Sequence, residues 1–545
     1  MPLLPALLAQ GMTPPPVEFS TIAPELLLTT AALLLLLVGV GGSARVLVGA
    51  ASGLVTAAVG IWLLLRGFVS PGVIVVAFGA VVVVFAIGLA NRPSLLQAWL
   101  AEFALAAALA LTVWQWVAIY DPLGPQTALS GAIGLDGVAL YTRVTVLVSG
   151  LLVLPIGYAY LHDRGIYRLE FEPLLLLSVI GMTVLGAAGD LLILVIAIEL
   201  LSLPLYVLAG LARRDRRSQE ASIKYFLMGA IASAVLLYGV AVLYAATGTI
   251  DLNFLAEGLA LITAPSGVIL LGIALVTVGL AFKAGAVPFH FWVPDVYQGS
   301  PTNVAAFMTA ATRAAALAAL LRVYLLAFGR LDHSWVPVLA AVAAASMMVG
   351  AIAAVLQRDL KRLLAYSSIA HVGYALIGLV SATPAGVSAT LWYSLTYAVT
   401  GIGAFGCVVA IERRRRGEVA LVDLRGLGRR APILTGVLGL CMLSLAGMPA
   451  TAGFAGKLAV FRAGVAADLS WLVVIGVLSS VIAAFYYLRV LGSMYLEEPS
   501  DETEEPMLST GLSTGIAAAA AAVVVLGIYP DAFVTLADAA ASIAR

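Results

Sequence analysis

Apolar stretches of about 17–25 residues recur along the whole chain, separated by short segments that carry most of its polar residues. That length allows a helix to cross the hydrocarbon core of a bilayer. Because the core holds no water for exposed backbone groups, a chain that crosses it repeatedly must form a helix bundle. The pattern predicts an all-α polytopic membrane protein with about sixteen transmembrane helices, near residues 24–41, 45–66, 71–90, 96–119, 137–158, 170–188, 189–211, 221–247, 266–286, 301–329, 335–356, 362–381, 386–411, 431–452, 470–495 and 509–529. We expect residues 531–545 to form an amphipathic segment at the membrane surface.

Composition agrees with this prediction and excludes other classes. The chain is 62% hydrophobic and only 11% charged, whereas soluble domains have roughly 25% charged residues. The formal net charge is zero and no basic stripe indicates nucleic-acid binding. Cys407 and Cys441 are the only cysteines and lie far apart in apolar segments, so neither a disulfide framework nor a metal site is predicted.

Basic residues follow the odd-numbered predicted helices. The positive-inside rule therefore predicts that the odd loops are cytoplasmic and that both termini lie outside. The acidic stretch Glu497 to Glu505 falls in a cytoplasmic loop on this count, as a solvated linker. Even loops contain little beyond Arg66 and Arg330. The basic residues of the odd loops are Arg45, Arg92, Arg164, Arg168, Arg213, Arg214, Arg216, Arg217, Arg358, Lys361, Arg362, Arg413 to Arg416, Arg425, Arg429 and Arg430.

Two predicted transmembrane helices are interrupted by glycine and proline. One interruption runs from Lys283 to His290 and the other from Leu445 to Lys457. Broken helices are tolerated at bilayer depth where they line a cavity. The two breaks are five helices apart, and an odd offset implies opposite orientations in the membrane. This is the pattern of an inverted repeat whose broken helices hold an ion path near the midplane.

Three charged residues lie within apolar segments: Glu199, Lys283 and Lys457. A charge at the centre of a membrane helix costs roughly 2.5–3.5 kcal/mol on insertion scales, so a chain that keeps one usually uses it. The two lysines are candidates for loading and releasing a proton, and the alternative is that they snorkel to an interface. A helical hairpin would bring Glu199 to Lys224, as an electrostatic switch or as a structural ion pair.

Three further candidates lie near the predicted path. Arg313 holds its proton, so it can set the charge of a neighbour or act as a fixed structural cation, but it cannot release a proton. His290 follows the first break and His371 lies in a polar island of a transmembrane helix. Imidazole titrates near neutrality and would connect the lysines through water, although a buried histidine is often only hydrogen-bonded.

Several motifs together resemble the antiporter-like membrane subunits of bacterial respiratory complex I, and within them the subunit N family. The resemblance covers roughly residues 130–530. The motifs are Ile198-Glu-Leu-Leu-Ser-Leu-Pro-Leu-Tyr206, Glu220-Ala-Ser-Ile-Lys-Tyr225, Phe282-Lys283, Val287-Pro-Phe-His-Phe-Trp-Val-Pro-Asp-Val-Tyr-Gln-Gly299, Lys361-Arg-Leu-Leu-Ala-Tyr-Ser-Ser-Ile-Ala-His371 and Leu443-Ser-Leu-Ala-Gly-Met-Pro449.

The resemblance implies a non-redox, proton-translocating subunit of NADH:quinone oxidoreductase in the bacterial cell membrane. It implies a core of fourteen helices with two inverted five-helix repeats, in which Glu199, Lys224, Lys283 and Lys457 match the family's charged residues. No cofactor is expected in this chain; NADH, FMN, iron–sulfur clusters and quinone would be handled by partner subunits. The partners would be the neighbouring membrane subunits, the peripheral arm and the lipid bilayer.

Two departures from the family pattern modify these expectations. The family commonly has a lysine where this chain has Arg313, and the amino-terminal region holds about two additional helices. We therefore predict three regions: residues 1–130 with the additional helices, a proton-translocating core at 131–530 and a surface segment at 531–545.

Three other functions remain open at this stage. The nearest is a subunit of an Mrp-type sodium/proton antiporter or of a membrane-bound hydrogenase, because both use the same fold. The others are a transporter of organic solutes and a scaffold whose charges only fix the packing of helices.

Overall fold

The structure is a computed structural model that describes residues 19–40, 45–65, 69–88, 92–260, 265–413, 419–499 and 506–541. Arg66, the arginines 414–416, most of the acidic stretch that ends at Glu505, and residues 542–545 lie outside the described residues. The loop charges predicted there are therefore not placed by the structure.

The described chain is a bundle of helices, as the apolar pattern predicts. The helices are α1 Ala23–Val40, α2 Arg45–Leu65, α3 Val69–Gly88, α4 Pro93–Gln115, α5 Gly137–Asp163, α6 Phe171–Ala187, α7 Leu191–Ala209, α8 Arg216–Thr247, α9 Leu252–Ala260, α10 Gly267–Ala284, α11 Trp292–Gly299, α12 Thr302–Ala327, α13 Asp332–Val355, α14 Leu360–Val380, α15 Pro384–Glu412, α16 Pro432–Ala446, α17 Ala452–Ala466, α18 Ser470–Tyr495, α19 Thr510–Ile528 and α20 Pro530–Ala539. Shorter helical segments lie at Trp116–Tyr120, Asp121–Leu123, Gly329–Leu331, Leu421–Leu424 and Leu427–Arg430.

Each of the sixteen predicted segments overlaps a helix of the structure. Among the described residues, eleven helices are long and apolar enough to cross a membrane, and four more are apolar but shorter. The number of crossings and the three predicted regions stay predictions. The surface segment at 531–545 contains α20, which packs against α15 and α19.

One element departs from the purely helical prediction. Strands β1 (Gln126–Ala128) and β2 (Ile133–Leu135) form an antiparallel hairpin between α4 and α5. Its turn is tight because Leu129 and Ser130 both have positive φ angles, which suits a hairpin turn. Three-residue strands are too short to give a clear alternation of apolar and polar side chains.

Three helices form the centre of the bundle. All of the most apolar 18-residue window of α12 is buried, as is 94% of the corresponding windows of α14 and α15, against 33% for α8, α18 and α19. Polar residues on the central helices therefore meet protein on every side. Since burial of an unpaired polar group is costly, these residues must find partners inside the bundle.

The amino-terminal helices α2 and α3 pack closely on each other. A Cβ atom added at Gly60 would lie 2.5 Å from the backbone nitrogen of Val76, and one at Gly79 would lie 2.5 Å from that of Ala57. Small residues of this kind let two membrane helices approach backbone to backbone. The pair joins the rest of the bundle through α1 and α4.

Candidate functional site: two broken helices and the charges between them

The first break separates α10 from α11, at the residues where the sequence predicts it. Helix α10 ends at Ala284 and is capped by Gly285, whose φ of 76° lies in the left-handed region that glycine adopts without strain. The chain resumes as a helix at Trp292, whose indole nitrogen donates a hydrogen bond of 2.9 Å to the carbonyl of Phe282. This hydrogen bond ties the two halves of the broken helix together.

Lys283 lies in the last turn of α10 and is only 2% exposed. Its ammonium donates a hydrogen bond of 2.6 Å to the hydroxyl of Ser202 and lies 5.4 Å and 5.9 Å from the ring centroids of Tyr225 and Tyr206. In the part of the chain that the structure describes, no carboxylate forms an ion pair with Lys283. A hydroxyl and two aromatic faces solvate its charge weakly.

Glu199 lies one helical turn before Ser202 on α7 and is half-buried. Its carboxylate acts electrostatically on Lys283, and its Oε1 has no hydrogen-bond partner among the described residues. Residues three apart share one face of a helix, so Glu199 and Ser202 lie on the same side of α7. The structure thus brings Glu199 and Lys283 into one site, with Ser202 between them.

The predicted contact between Glu199 and Lys224 is absent from the described structure, and helix register explains why. Ser218 pairs with the carbonyl of Ala209 and Ser222 pairs with that of Tyr206. With this register, Lys224 lies opposite the part of α7 that is four to five residues beyond Glu199. At about 1.5 Å per residue, the two residues are therefore offset by about 7 Å along the helix axis. Side chains tilt toward the start of their helix, so in an antiparallel pair these two point away from each other.

Lys224 instead pairs with two other carboxylates. Its ammonium lies 2.6 Å from Glu220 and 2.8 Å from Asp295, and its side chain is 40% exposed. Asp295 belongs to α11 and is also bound by Arg362 at 2.7 Å. Lys224 is therefore held to the second half of the first broken helix. Asp295 was not among the predicted site residues, although it lies in one of the motifs that carry the family resemblance.

The second break separates α16 from α17, again where it is predicted. Helix α16 ends at Ala446 and is capped by Gly447, which has a φ of 91°. Lys457 lies in the second turn of α17 and is 5% exposed. Its ammonium donates hydrogen bonds of 3.0 Å to the carbonyls of both Leu445 and Ala446. The carbonyl end of a helix carries a partial negative charge, which stabilises a cation there.

Further groups complete the surroundings of Lys457. Ser480 receives a hydrogen bond of 3.2 Å from the lysine and is itself 3.1 Å from the hydroxyl of Tyr374. The ammonium lies 4.8 Å from the centroid of the Tyr374 ring. These polar partners were missed by the sequence analysis, because a serine or tyrosine in an apolar segment gives no distinctive pattern.

Arg313 lies between the two breaks, directly after a π-helical turn at Met308–Thr312 in α12. One of its nitrogens donates to the carbonyl of Ser368, and its guanidinium lies 5.6 Å from the centroid of the Tyr297 ring. Its Nη2 has no hydrogen-bond partner among the described residues and points to Gly285, at the first break. Such π-helical turns are frequent at functional sites.

His371 is buried on α14 between two tyrosines. Its Nδ1 lies 2.6 Å from the hydroxyl of Tyr393 and its Nε2 lies 3.1 Å from that of Tyr487. A cavity of about 10 Å³, close to the volume needed for one water molecule, is lined by both His371 and Arg313. The ring of His371 is 5.5 Å from Tyr374, which leads on to Lys457.

His290 is half-buried in the segment between α10 and α11. Its Nδ1 has no hydrogen-bond partner within the described ranges. Among those residues, the nearest ring contact is with Phe291, at 6.3 Å between centroids. The structure therefore places His290 at the first break but does not connect it to Lys283 by a hydrogen bond.

These groups follow one another through the buried centre. The order is Glu199, Ser202, Lys283, the tyrosines 225 and 297, Arg313, His371, Tyr374 and Lys457. Chemically, the arrangement offers two buried lysines, each able to hold a proton, with polar and aromatic side chains between them. With only two cysteines in the chain and no cluster of three metal-binding residues in the described ranges, its residues do not fit an iron–sulfur cluster.

Known proteins share both the sequence and the fold. Residues 188–483 match the family model described as "NADH:quinone oxidoreductase/Mrp antiporter, TM". The chain is 50% identical over 375 residues to NADH-quinone oxidoreductase subunit N of Rhodococcus opacus (strain B4), covering 68% of this chain and 69% of the relative.

Two solved structures have similar folds. A chain of respiratory complex I from Thermus thermophilus with bound aureothin superposes with a TM-score of 0.69 at 34% identity, over 89% of this chain and 99% of that one. A chain of the Mrp complex from Dietzia sp. DQ12-45-1b reaches 0.70 at 24% identity, over 92% of this chain and 96% of that one, which is a likeness of fold alone. By the extent of these matches, the chain belongs to the NADH:quinone oxidoreductase/Mrp antiporter membrane family and, within it, to the subunit N family of NADH-quinone oxidoreductase.

Proposed function

We propose that the chain is a proton-translocating membrane subunit of a bacterial NADH:quinone oxidoreductase and couples quinone reduction elsewhere in the complex to proton movement. The observation that carries the proposal is the pair of helix breaks. Each break holds a buried lysine that has no ion-pair partner among the described residues, and polar groups join the two lysines.

In this proposal Lys283 is the central proton carrier and Glu199 sets its affinity. The carboxylate favours a proton on Lys283, which otherwise has only Ser202 and aromatic faces around it. If Glu199 is neutralised or drawn to another cation, Lys283 loses that stabilisation and releases its proton. At an effective dielectric constant of about 20, two unit charges interact by about 4 kcal/mol at about 4 Å, and the energy falls in inverse proportion to the distance.

That energy is of the size that pumping requires. Moving one charge against 100 mV costs about 2.3 kcal/mol. The electrostatic interaction between one carboxylate and one lysine is therefore large enough to drive one proton across the membrane.

Lys224 is the proposed control element. It is held by Asp295 and Glu220, away from Glu199. If the ion pair with Asp295 opens, the ammonium of Lys224 becomes a second positive charge near Glu199. Glu199 then stabilises the protonated form of Lys283 less. The same ion pair also anchors α11, so its opening would loosen the second half of the first broken helix.

A released proton would continue toward Lys457. Arg313 keeps its own proton, so the proton must pass around it through water and hydroxyl groups, and the small cavity shared with His371 is suited to one water. His371 then connects through Tyr374 to Lys457. In this scheme the fixed charge of Arg313 raises the free energy of a proton that passes beside it, whichever way the proton moves.

The redox chemistry would take place in partner subunits. This chain would act as a non-redox part of the enzyme, with NADH, FMN, iron–sulfur clusters and quinone bound by other subunits. We also propose that the arginine-rich loops face the cytoplasm and that both termini lie outside, following the positive-inside rule.

The substitution Lys283→Ala tests the proposal. In the assembled complex, reconstituted into liposomes, we expect proton pumping linked to quinone reduction to fall by at least about tenfold, a loss equivalent to about 1.4 kcal/mol. Unchanged pumping in a fully assembled complex would remove Lys283 from the proton path.

A subunit of an Mrp-type antiporter is the second candidate, favoured by the description of the matching family and by the likeness of fold to the Dietzia complex. Purification from native membranes discriminates the two. Copurification with NADH-oxidising subunits supports the first function, whereas sodium-dependent proton exchange without them supports the second.

A further inference from the structure

A large cavity lies away from the two breaks, at one end of the bundle. Its volume is about 720 Å³, within the range of about 300–1,000 Å³ that is usual for ligand pockets. It forms where the end of α5, the start of α8, the end of α11, the start of α14 and the end of α15 meet. The cavity therefore lies where four of the predicted basic loops meet.

The charges around this cavity do not balance. Six cationic and three acidic side chains line it, so its net formal charge is +3. The acidic residues are Asp163, Asp215 and Glu412, and the cationic ones are Arg164, Arg214, Arg216, Arg217, Lys361 and Arg413.

Each of the three acidic groups is already engaged. Asp163 binds Arg413 at 2.5 Å, and Glu412 lies 3.5 Å from Lys361 and accepts hydrogen bonds from Tyr160 and Thr302. Asp215 accepts a hydrogen bond of 2.9 Å from the backbone nitrogen of Arg217 and so caps α8. These contacts leave the positive charge at the rim uncompensated.

Arg214 and Arg216 form that rim. Both are exposed, and among the described residues neither has an acidic partner. They flank Asp215, the N-cap of α8, a helix of 32 residues. Guanidinium groups at a helix N-terminus match the geometry and charge of a phosphate.

We propose that this cavity binds a phosphate group, and specifically the headgroup of an anionic phospholipid. The cavity lies where the ends of long apolar helices meet, and basic pockets between membrane helices are suited to such headgroups. A positive cavity repels protons, so it is poorly suited to be their entrance to the buried path. The inference is independent of the proposed proton path.

Lipid binding to the purified complex tests this inference. We would titrate dioleoyl phosphatidylglycerol, and dioleoyl phosphatidylcholine as the neutral control, into the complex in a neutral detergent and count bound lipids by native mass spectrometry. The double substitution Arg214→Gln/Arg216→Gln should weaken binding of the anionic lipid roughly thirtyfold, as expected for the loss of two basic side chains at the membrane surface. Arg214→Lys/Arg216→Lys should retain most of the binding, which separates charge from folding.

The matched control removes two arginines that have carboxylate partners. Arg425→Gln/Arg429→Gln breaks pairs with Glu497 and Glu498, and it should leave binding of phosphatidylglycerol unchanged. Inorganic phosphate at millimolar concentration should compete with phosphatidylglycerol, because both would use this site. Binding of inorganic phosphate without binding of phosphatidylglycerol would assign the site to free phosphate and overturn the lipid assignment. Equal loss of binding in the two glutamine variants, or equal binding of phosphatidylcholine, would overturn the inference.

Discussion

The two broken helices hold their lysines in different ways. At the second break, Lys457 binds the carbonyls of Leu445 and Ala446, at the end of the first half of its own broken helix. At the first break, Lys283 binds one hydroxyl, that of Ser202 on another helix. The carbonyls at the end of α10 are instead bound by Gly285 and Trp292. Both lysines are buried, yet only Lys457 has fixed backbone dipoles aimed at its charge.

This difference implies different roles. The carbonyls that stabilise Lys457 belong to the backbone, and no titratable group can switch them off. Lys283 instead has the carboxylate of Glu199 as its electrostatic neighbour, a group on a different helix. In the function proposed above, the first break would therefore be the site whose proton affinity changes, and the second would receive the proton that the first releases.

Glu199→Gln is the substitution that separates the two breaks most strongly. It removes the carboxylate that acts on Lys283 and leaves the second break untouched, so we expect proton pumping to fall by about tenfold, the effect of about 1.4 kcal/mol. The measurement is acidification by liposomes that contain the assembled complex. Glu257→Gln, which changes an exposed glutamate of α9, is the control and should pump like the unmodified complex. Equal effects of the two substitutions would contradict the assignment.

Arg313 tests the connection between the breaks. Arg313→Met removes the fixed charge and the contact with the Ser368 carbonyl, and we expect pumping to fall about fivefold, or about 1 kcal/mol. Arg313→Lys keeps a cation at this position, and pumping should stay within about twofold of the unmodified complex. The initial rate of acidification measures both. A lysine variant as inactive as the methionine variant would show that the planar guanidinium itself is needed.

Asp295→Asn sharpens the role of Lys224. Loss of this partner frees Lys224 from α11, and we expect pumping to fall about threefold, equivalent to about 0.65 kcal/mol. Glu220→Gln is a matched control, because Glu220 binds the same ammonium at 2.6 Å but belongs to the same helix as Lys224. An exposed pair four residues apart contributes only about 0.3–0.5 kcal/mol. If Glu220→Gln lowers the pumping rate as much as Asp295→Asn, the special role of Asp295 is lost.

The last prediction concerns the stability of the subunit instead of its pumping rate, and it tests the geometry of the second break. Gly447 has a φ of 91°, and a Cβ atom there would lie 3.0 Å from the side chain of Lys457. Gly447→Ala should destabilise the subunit by about 1–2 kcal/mol, because a left-handed conformation strains alanine. Thermal unfolding of the purified complex measures this, with Gly436→Ala as a control, since a Cβ atom at Gly436 meets open space. Equal melting temperatures for the two variants would argue against a strained cap.

Much of the fold was predictable because it depends on local patterns. Apolar length located the membrane segments, and glycine with proline located both breaks to within a few residues. Lys283, Lys457 and Glu199 stood out because a charge in an apolar segment is rare. The short hairpin of β1 and β2 gave no comparable signal.

The partners of these charges were less predictable, because they depend on how distant segments pack. Lys224 pairs with Asp295, 71 residues away, since the register between α7 and α8 turns it from Glu199. Tyr374, Tyr393 and Tyr487 surround His371 and Lys457 from three helices. No periodicity along the sequence encodes such contacts between distant segments.

The most direct test of the account is Lys283→Arg in the assembled complex. Arginine keeps the positive charge but does not release its proton in a protein. The number of protons pumped per quinone reduced, measured in liposomes, should fall clearly although the positive charge remains. Pumping equal to that of the unmodified complex would show that Lys283 serves only as a fixed charge, and would contradict its role as a proton carrier.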